Sequence, residues 1–303
     1  MPSRPVPVTV VTGFLGAGKT TLVNRWLTAD PSLAVIVNEL GSVGIDGELL
    51  AARTRTLVEI NGGCICCKTQ EDLVRALDTL AASRPPRILV ETSGGASPVG
   101  VLRAVNTGGR NGAYALDGAI TVVDATRLAT LTEHDLAIEQ LGYADVVVLS
   151  RADLLDDAAL AAARTAVARH NGVAHVVAAK RGDVSLPELL ASRAGEPPAP
   201  PPVSTHRDYD SVSLVIEGEV DGDRFADLVE GELARCAGRL FRTKAVLAIP
   251  GMGDRMIVQG VADSLEISFG DPWNDAPRRS RLVVVGYGLD AEALEKAFRA
   301  CAT

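Results

Sequence analysis

A mainly parallel α/β domain followed by a smaller α+β domain is the fold class this sequence predicts, and three features predict it. Short β-branched runs alternate with longer helical stretches over the first two-thirds of the chain, as repeated βαβ units require. A glycine-rich turn sits between the first such strand and the first helix. A proline-rich break then separates this pattern from a second one, richer in strands.

The predicted strands of the first part are Val8–Val11, Ala34–Val37, Leu57–Ile60, Ile88–Glu91, Ile120–Val123, Val146–Leu149 and His175–Ala178. Nearly continuous apolar runs of this length suit strands covered on both faces, hence a parallel sheet between helices. Gln70–Ala82 is a predicted helix, with Leu73, Val74, Leu77 and Leu80 at helical spacing. The break, Glu196-Pro197-Pro198-Ala199-Pro200-Pro201-Pro202, holds five prolines in six residues and reads as a stiff spacer. The expected domains are therefore 1–195 and 204–303, joined by a linker over 196–203. In the second, Ser211–Val220, Ala245–Ile249, Met256–Gly260, Leu265–Phe269 and Leu282–Val285 are predicted strands, with helices over Asp223–Cys236 and Ala291–Cys301.

Gly13-Phe14-Leu15-Gly16-Ala17-Gly18-Lys19-Thr20 fits G-x-x-x-x-G-K-[ST] in full, with a strand before it and the helical run from Thr21 to Leu27 behind it. This is a phosphate-binding loop, and the first domain is read as a P-loop NTPase. Glycines let backbone N–H groups turn toward phosphates, and the helix dipole adds positive potential there. Gly13, Gly16, Ala17, Gly18, Lys19, Thr20 and Thr21 are the expected nucleotide contacts, with Lys19 reaching the β- and γ-phosphates and Thr20 holding Mg²⁺. Val90-Glu91-Thr92-Ser93-Gly94 ends a buried strand in a carboxylate. Glu91 either holds Mg²⁺ or positions the attacking water. Lys19 and Glu91 are the candidate catalytic residues.

Val146–Leu149 runs into Ser150-Arg151-Ala152-Asp153, where GTPases usually carry Asn-Lys-x-Asp. A carboxylate at Asp153 accepts two hydrogen bonds from the guanine N–H edge, which adenine does not offer, so GTP is favoured. Ser150 loses an amide contact, whereas Arg151 keeps an aliphatic stem to lay on the base.

Asn61-Gly62-Gly63-Cys64-Ile65-Cys66-Cys67 packs three thiols into four residues behind a glycine pair. In a chain with five cysteines this is a metal-binding or redox pattern rather than a disulfide framework. Soft sulfur ligands select Zn²⁺ or Cu⁺ over Mg²⁺, with Co²⁺ and nickel also open. Three thiolates, Cys64, Cys66 and Cys67, leave one tetrahedral position either open or filled by a fourth ligand, for which Glu39 is the candidate. Cys236 and Cys301 read as buried apolar residues.

The net charge of -8 argues against a nucleic-acid partner, which would need a cationic face. Neither a secretory signal nor an apolar run of membrane-spanning length is evident, so no membrane is expected and the cytoplasm is the expected compartment.

Taken together, the phosphate loop, Val35-Ile36-Val37-Asn38-Glu39, Val43-Gly44-Ile45-Asp46-Gly47, the C-x-C-C run, Val90–Gly94 and Pro277-Arg278-Arg279-Ser280-Arg281-Leu282 resemble the CobW-like family of P-loop GTPases, relatives of UreG and HypB. The resemblance implies a GTP-hydrolysing metallochaperone that binds zinc or cobalt at its C-x-C-C cysteines. Under nucleotide control it would hand the metal to a client metalloprotein recognised by the carboxyl-terminal domain. It also implies switch loops at 41–47 and 91–94, with Asp46 sensing Mg²⁺ or the γ-phosphate. Ser42 stands where many members carry a second carboxylate, and no histidine run accompanies the linker. The alternative is a zinc-buffering protein with a regulatory nucleotide site, and an oligomer is compatible with either reading.

Overall fold

The computed structural model describes residues 4–39, 57–61, 67–109, 112–194, 210–236 and 239–303. The chain divides into two compact units, 1–168 with 174–197, and 169–173 with 198–303. The predicted linker lies outside the described residues.

In the first unit the elements run β1 (Val6–Thr12), α1 (Lys19–Ala29), β2 (Ala34–Glu39), β3 (Leu57–Asn61), α2 (Cys67–Ala82), β4 (Ile88–Thr92), α3 (Val99–Gly108) and β5 (Tyr114–Asp124). They continue with α4 (Leu128–Leu131), α5 (Asp135–Gly142), β6 (Val146–Ser150), α6 (Asp157–His170), β7 (His175–Ala178) and α7 (Leu186–Ala194). The strands form a parallel seven-stranded sheet in the order β3-β2-β4-β1-β5-β6-β7. Every residue of β4 is buried, as its unbroken apolar run requires of a central strand. Chain order reverses around β1, with β4 on one side and β5 on the other, so a crevice opens at the carboxyl end of β1.

Helix α1 seats its buried Leu22, Val23, Trp26 and Leu27 against this sheet, and Trp26 Nε1 donates to Val184 O at 2.9 Å. Helix α2 begins at Cys67, three residues before the predicted start, so the third cysteine of the cluster opens a helix. Strand β5 starts at Tyr114 rather than Ile120. Its first half is hidden from pattern reading by a bulge, where Val8 pairs with Leu116 but Thr9 pairs with Gly118. Asp117 lies in that bulge and is paired to Arg87, which also donates to Thr9 Oγ1 at 2.6 Å.

The second unit contains β8 (Asp210–Ile216), α8 (Gly222–Leu228), β9 (Leu240–Leu247), β10 (Asp254–Val261), β11 (Ser264–Pro272), β12 (Ser280–Gly286) and α9 (Ala291–Ala300). An antiparallel sheet in the order β11-β10-β9-β12-β8 packs against the helices through Leu247, Val258, Leu282, Phe225, Leu294 and Phe298. Cys236 and Cys301 are buried in this core, as the sequence suggests, and burial pushes the Cys301 thiol up. Each helix starts on an aspartate cap: Asp221 accepts from the N–H groups of Asp223 and Arg224, and Asp290 accepts from that of Ala293.

Strands β10, β11 and β12 run a few residues beyond their predicted ends, and three other elements differ more. Strand β8 stops at Ile216 because the chain turns at Gly218, φ 144°. The helix predicted over Asp223–Cys236 passes into a π-helical turn over Val229–Leu233, around Gly231. Strand β9 starts at Leu240, not Ala245. Arg242 breaks the apolar pattern there, yet it is buried with its guanidinium donating to Gln259 Oε1 at 2.8 Å and Gly260 O at 3.4 Å. No helix among the described residues is long and apolar enough to cross a membrane.

Candidate nucleotide site

The loop from Gly13 to Gly18 joins the end of β1 to α1 in left-handed backbone at Gly13 (φ 135°), Gly16 (φ 74°) and Gly18 (φ 98°). At Gly13 the requirement is absolute, since a Cβ there would lie 2.0 Å from Val122 O. Gly18 takes the capping position of α1 with no side chain over it, so the helix presents its first N–H groups to the loop.

Lys19 is 8% exposed, and its Nζ donates to Gly13 O at 2.8 Å and Phe14 O at 3.3 Å, closing the loop on itself. Thr20 Oγ1 donates to Glu91 Oε1 at 2.6 Å, although the two are far apart in sequence. Glu91 is 4% exposed at the end of β4, beside β1 in the sheet. Just beyond, Thr92 Oγ1 donates to Thr12 Oγ1 at 2.9 Å and ties the two strand ends together. A hydroxyl and a carboxylate in contact at the rim of a phosphate loop are hard oxygen donors, the set that suits Mg²⁺.

The segment after β4 lies on the phosphate loop. A Cβ at Gly94 would meet Leu15 N at 2.7 Å, Leu15 Cα at 2.9 Å and Lys19 Nζ at 2.9 Å. Backbone atoms do not yield to such a contact, so Gly94→Ala is expected to displace this segment and slow nucleotide hydrolysis roughly a hundredfold. Single-turnover phosphate release measures this; a rate within experimental error of wild type would show that the close approach is not needed for turnover.

A cavity of about 170 Å³ lies beside the phosphate loop, lined by Ala17, Gly18, Thr21, Ser150, Arg151 and Arg181 among others. Ser150 Oγ donates to Ala17 O at 2.7 Å and Val123 O at 3.2 Å. Arg151 is ion-paired with Asp124 and donates to Gly16 O at 3.2 Å. Asp153 accepts the Arg181 N–H at 2.9 Å, and that hydrogen bond holds its carboxyl below the usual carboxylate range. The structure thus gathers Gly13 through Thr21, Glu91, Ser150 and Arg151 around one crevice, with Asp153 hydrogen-bonded to Arg181 of the cavity wall.

Of the expected zinc ligands, Cys64 and Cys66 lie outside the described residues, as does Asp46, the expected Mg²⁺ or γ-phosphate sensor, with the first switch loop at 41–47. Glu39 and Cys67 are placed by backbone alone, at the end of β2 and the start of α2.

Three further features of the crevice escape sequence reading. Asp124 ends a Val-Val-Asp run much as Glu91 ends Leu-Val-Glu, and that parallel is a usable signal. The Arg181–Gly182 turn has positive φ at both residues, which Lys-Arg-Gly-Asp after a strand hints at. His134 stacks on the Phe14 ring, centroids 5.6 Å apart, and nothing local announces it.

Fold and crevice define a P-loop nucleotide-binding protein. Residues 7–178 match the CobW/HypB/UreG nucleotide-binding domain, and residues 209–302 match the cobalamin synthesis protein CobW C-terminal domain. The chain belongs to this family of P-loop GTPases. Over 97% of its length it is 35% identical to the zinc chaperone CobW of Pseudomonas aeruginosa, 91% of which is covered. Over 97% it is also 31% identical to the zinc chaperone YjiA of Escherichia coli, 98% of which is covered. The crystal structure of zinc-bound YjiA GTPase from E. coli superposes with a TM-score of 0.68 at 26% identity, covering 99% of this chain and 100% of that one.

Proposed function

We propose that this protein is a GTP-hydrolysing metallochaperone that binds zinc at Cys64, Cys66 and Cys67, with Glu39 as fourth ligand, and releases it to a client metalloprotein under nucleotide control. Cobalt fits the same soft ligands and is the second candidate metal. The reading rests above all on strand order. The sheet runs β3-β2-β4-β1, and Glu39 pairs in register with Asn61, the residue that leads into the thiol loop. Thus β3, whose end at Asn61 precedes the thiol residues in sequence, and β1, which runs into the phosphate loop, finish at the same carboxyl end of the parallel sheet, three strand spacings or about 14 Å apart. Val37 pairs with Glu91 and Asn38 with Thr92, so β2 and β4 lie between the two sites. The names of the CobW and YjiA relatives support zinc as the cargo.

In the proposed cycle the backbone N–H groups of the phosphate loop and Lys19 Nζ hold the β- and γ-phosphates. Water attacks the γ-phosphorus, the bond to the β–γ bridging oxygen breaks, and GDP and inorganic phosphate leave. Thr20 and Glu91 would hold Mg²⁺, which would supply positive charge to offset the negative charge of the phosphate oxygens. The Thr20–Glu91 hydrogen bond favours this metal-holding role of Glu91 over that of positioning water. Asp153 and Arg151 bind the guanine. Asp46 senses Mg²⁺ or the γ-phosphate from the first switch loop. GTP draws Glu39 and the thiol loop together, and hydrolysis lets them part beside a client docked on residues 204–303.

Zinc titration of reduced, metal-free protein against a competing chelator tests this, once with Mg·GDP and once with a non-hydrolysable Mg·GTP analogue. Linkage requires a coupling of roughly 1–3 kcal/mol, so the GTP-analogue complex is expected to bind zinc at least several-fold more tightly. Equal affinities would overturn nucleotide control and leave a zinc buffer with a regulatory nucleotide site.

A further inference from the structure

Base recognition in this chain departs from Asn-Lys-x-Asp at its first two positions, and the crevice contains a third residue that accounts for the departure. Arg151 stands in left-handed backbone, φ 56°, on the wall of the 170 Å³ cavity, with its side chain 50% exposed. Its guanidinium is held at two points. One nitrogen donates to Asp124 Oδ2, and the other donates to Gly16 O at 3.2 Å. Asp124 ends β5 and pairs in register with Ser150, which brings its carboxylate beside Arg151. It is 2% exposed, and its other oxygen accepts from Thr126 N at 3.0 Å and Thr126 Oγ1 at 2.7 Å. Both oxygens are engaged, so this buried anion has one orientation and dictates where the guanidinium lies. A carboxylate this deeply buried needs a compensating charge, which the guanidinium supplies.

We propose that Asp124 is a positioning residue for base recognition, locking the Arg151 guanidinium beside the cavity as a flat platform for the purine. A lysine there would offer a point charge on a mobile stem. An arginine offers a plane, which serves as a stacking surface when its orientation is fixed. Residues 150 and 151 also hang on consecutive carbonyls of the phosphate loop, Ala17 O from Ser150 and Gly16 O from Arg151. The base platform is thereby tied to the loop that holds the phosphates. The assignment rests on the guanine-nucleotide reading above and adds the residue that makes arginine workable in it.

Asp124→Asn separates this role from a merely structural one. Asparagine keeps an Oδ1 acceptor for Thr126 and removes the charge that holds Arg151. The dissociation constant for Mg·GDP is expected to rise about tenfold, between the worth of an exposed and of a desolvated cation–π contact. Mg·tripolyphosphate, which has phosphates but no base, is expected to compete as well as before. Arg151→Ala should give the same selective loss, and the double variant no further loss, because the two residues act as one unit. Unchanged GDP affinity, equal losses for GDP and tripolyphosphate, or additive effects would each overturn the assignment. If Asp124→Asn fails to fold, Arg151→Lys carries the test: it keeps a cation for the buried Asp124 carboxylate but removes the plane that Asp124 holds, and GDP affinity equal to that of wild type would overturn the assignment. Wild-type protein that bound GDP no better than tripolyphosphate would overturn the guanine reading itself, and this assignment with it.

Discussion

Lys19→Ala is expected to slow GTP hydrolysis by about a hundred- to a thousandfold while leaving the fold intact. The ammonium is nearly buried against the carbonyls of Gly13 and Phe14, at the floor of the phosphate loop. Charge that builds on the β- and γ-oxygens as the phosphoryl group departs therefore meets a cation already in place, in a setting drier than water. Alanine removes that cation but is the best helix former, so the first turn of α1 survives. Loop N–H groups remain, and GDP should still bind, more weakly. Single-turnover phosphate release beside a far-UV melting curve reads both outcomes. Hydrolysis at the wild-type rate would take Lys19 out of the catalytic set. A variant dead in hydrolysis that still handled zinc normally in cells would favour the buffer.

Cys66→Ala is expected to weaken zinc binding by at least about a hundredfold and leave Mg·GDP affinity unchanged. Even the partners that only orient a ligand are worth 10- to 100-fold, and a thiolate in direct contact is worth more. The proposed nucleotide contacts lie at other strand ends, β1, β4 and β6, so on this reading the GDP site has no share in the loss. Chelator-competition titration of the reduced protein measures the first quantity and calorimetry the second. Zinc affinity equal to that of wild type would remove the thiol loop as the metal site and leave nucleotide control of zinc without its structural basis.

Much of the architecture was legible from residue type alone. The parallel strands follow from apolar runs such as Ile88–Val90 and Val146–Leu149, which have no polar face to give to water. Aspartate caps and the Gly18–Lys19 junction mark helix starts with local chemistry. Pattern reading failed where long-range pairing pays for a local exception. Gly118 interrupts β5 because a bulge lets it pair with Thr9, and Arg242 sits inside β9 because Gln259 and Gly260 on the adjacent strand accept its hydrogen bonds. Helix α2 reaches back to Cys67, three residues ahead of the start at Gln70 that apolar spacing predicts.

The sequence by itself determined the phosphate loop and the identity of the residues around it, because eight consecutive residues carry that site through their own backbone. It likewise marked Glu91 and Asp153 as carboxylates that follow buried strands. Which of these groups meet was decided only by the tertiary structure. Thr20 reaches Glu91 because β4 lies beside β1, and Arg151 reaches Asp124 because β5 pairs with β6 so that Asp124 faces Ser150. Gly94 lies against Lys19 for the same kind of reason. Apolar runs specify that strands are buried but not which strand is whose neighbour; that choice comes from packing the whole sheet, and with it come the partners of every charged group at its edge.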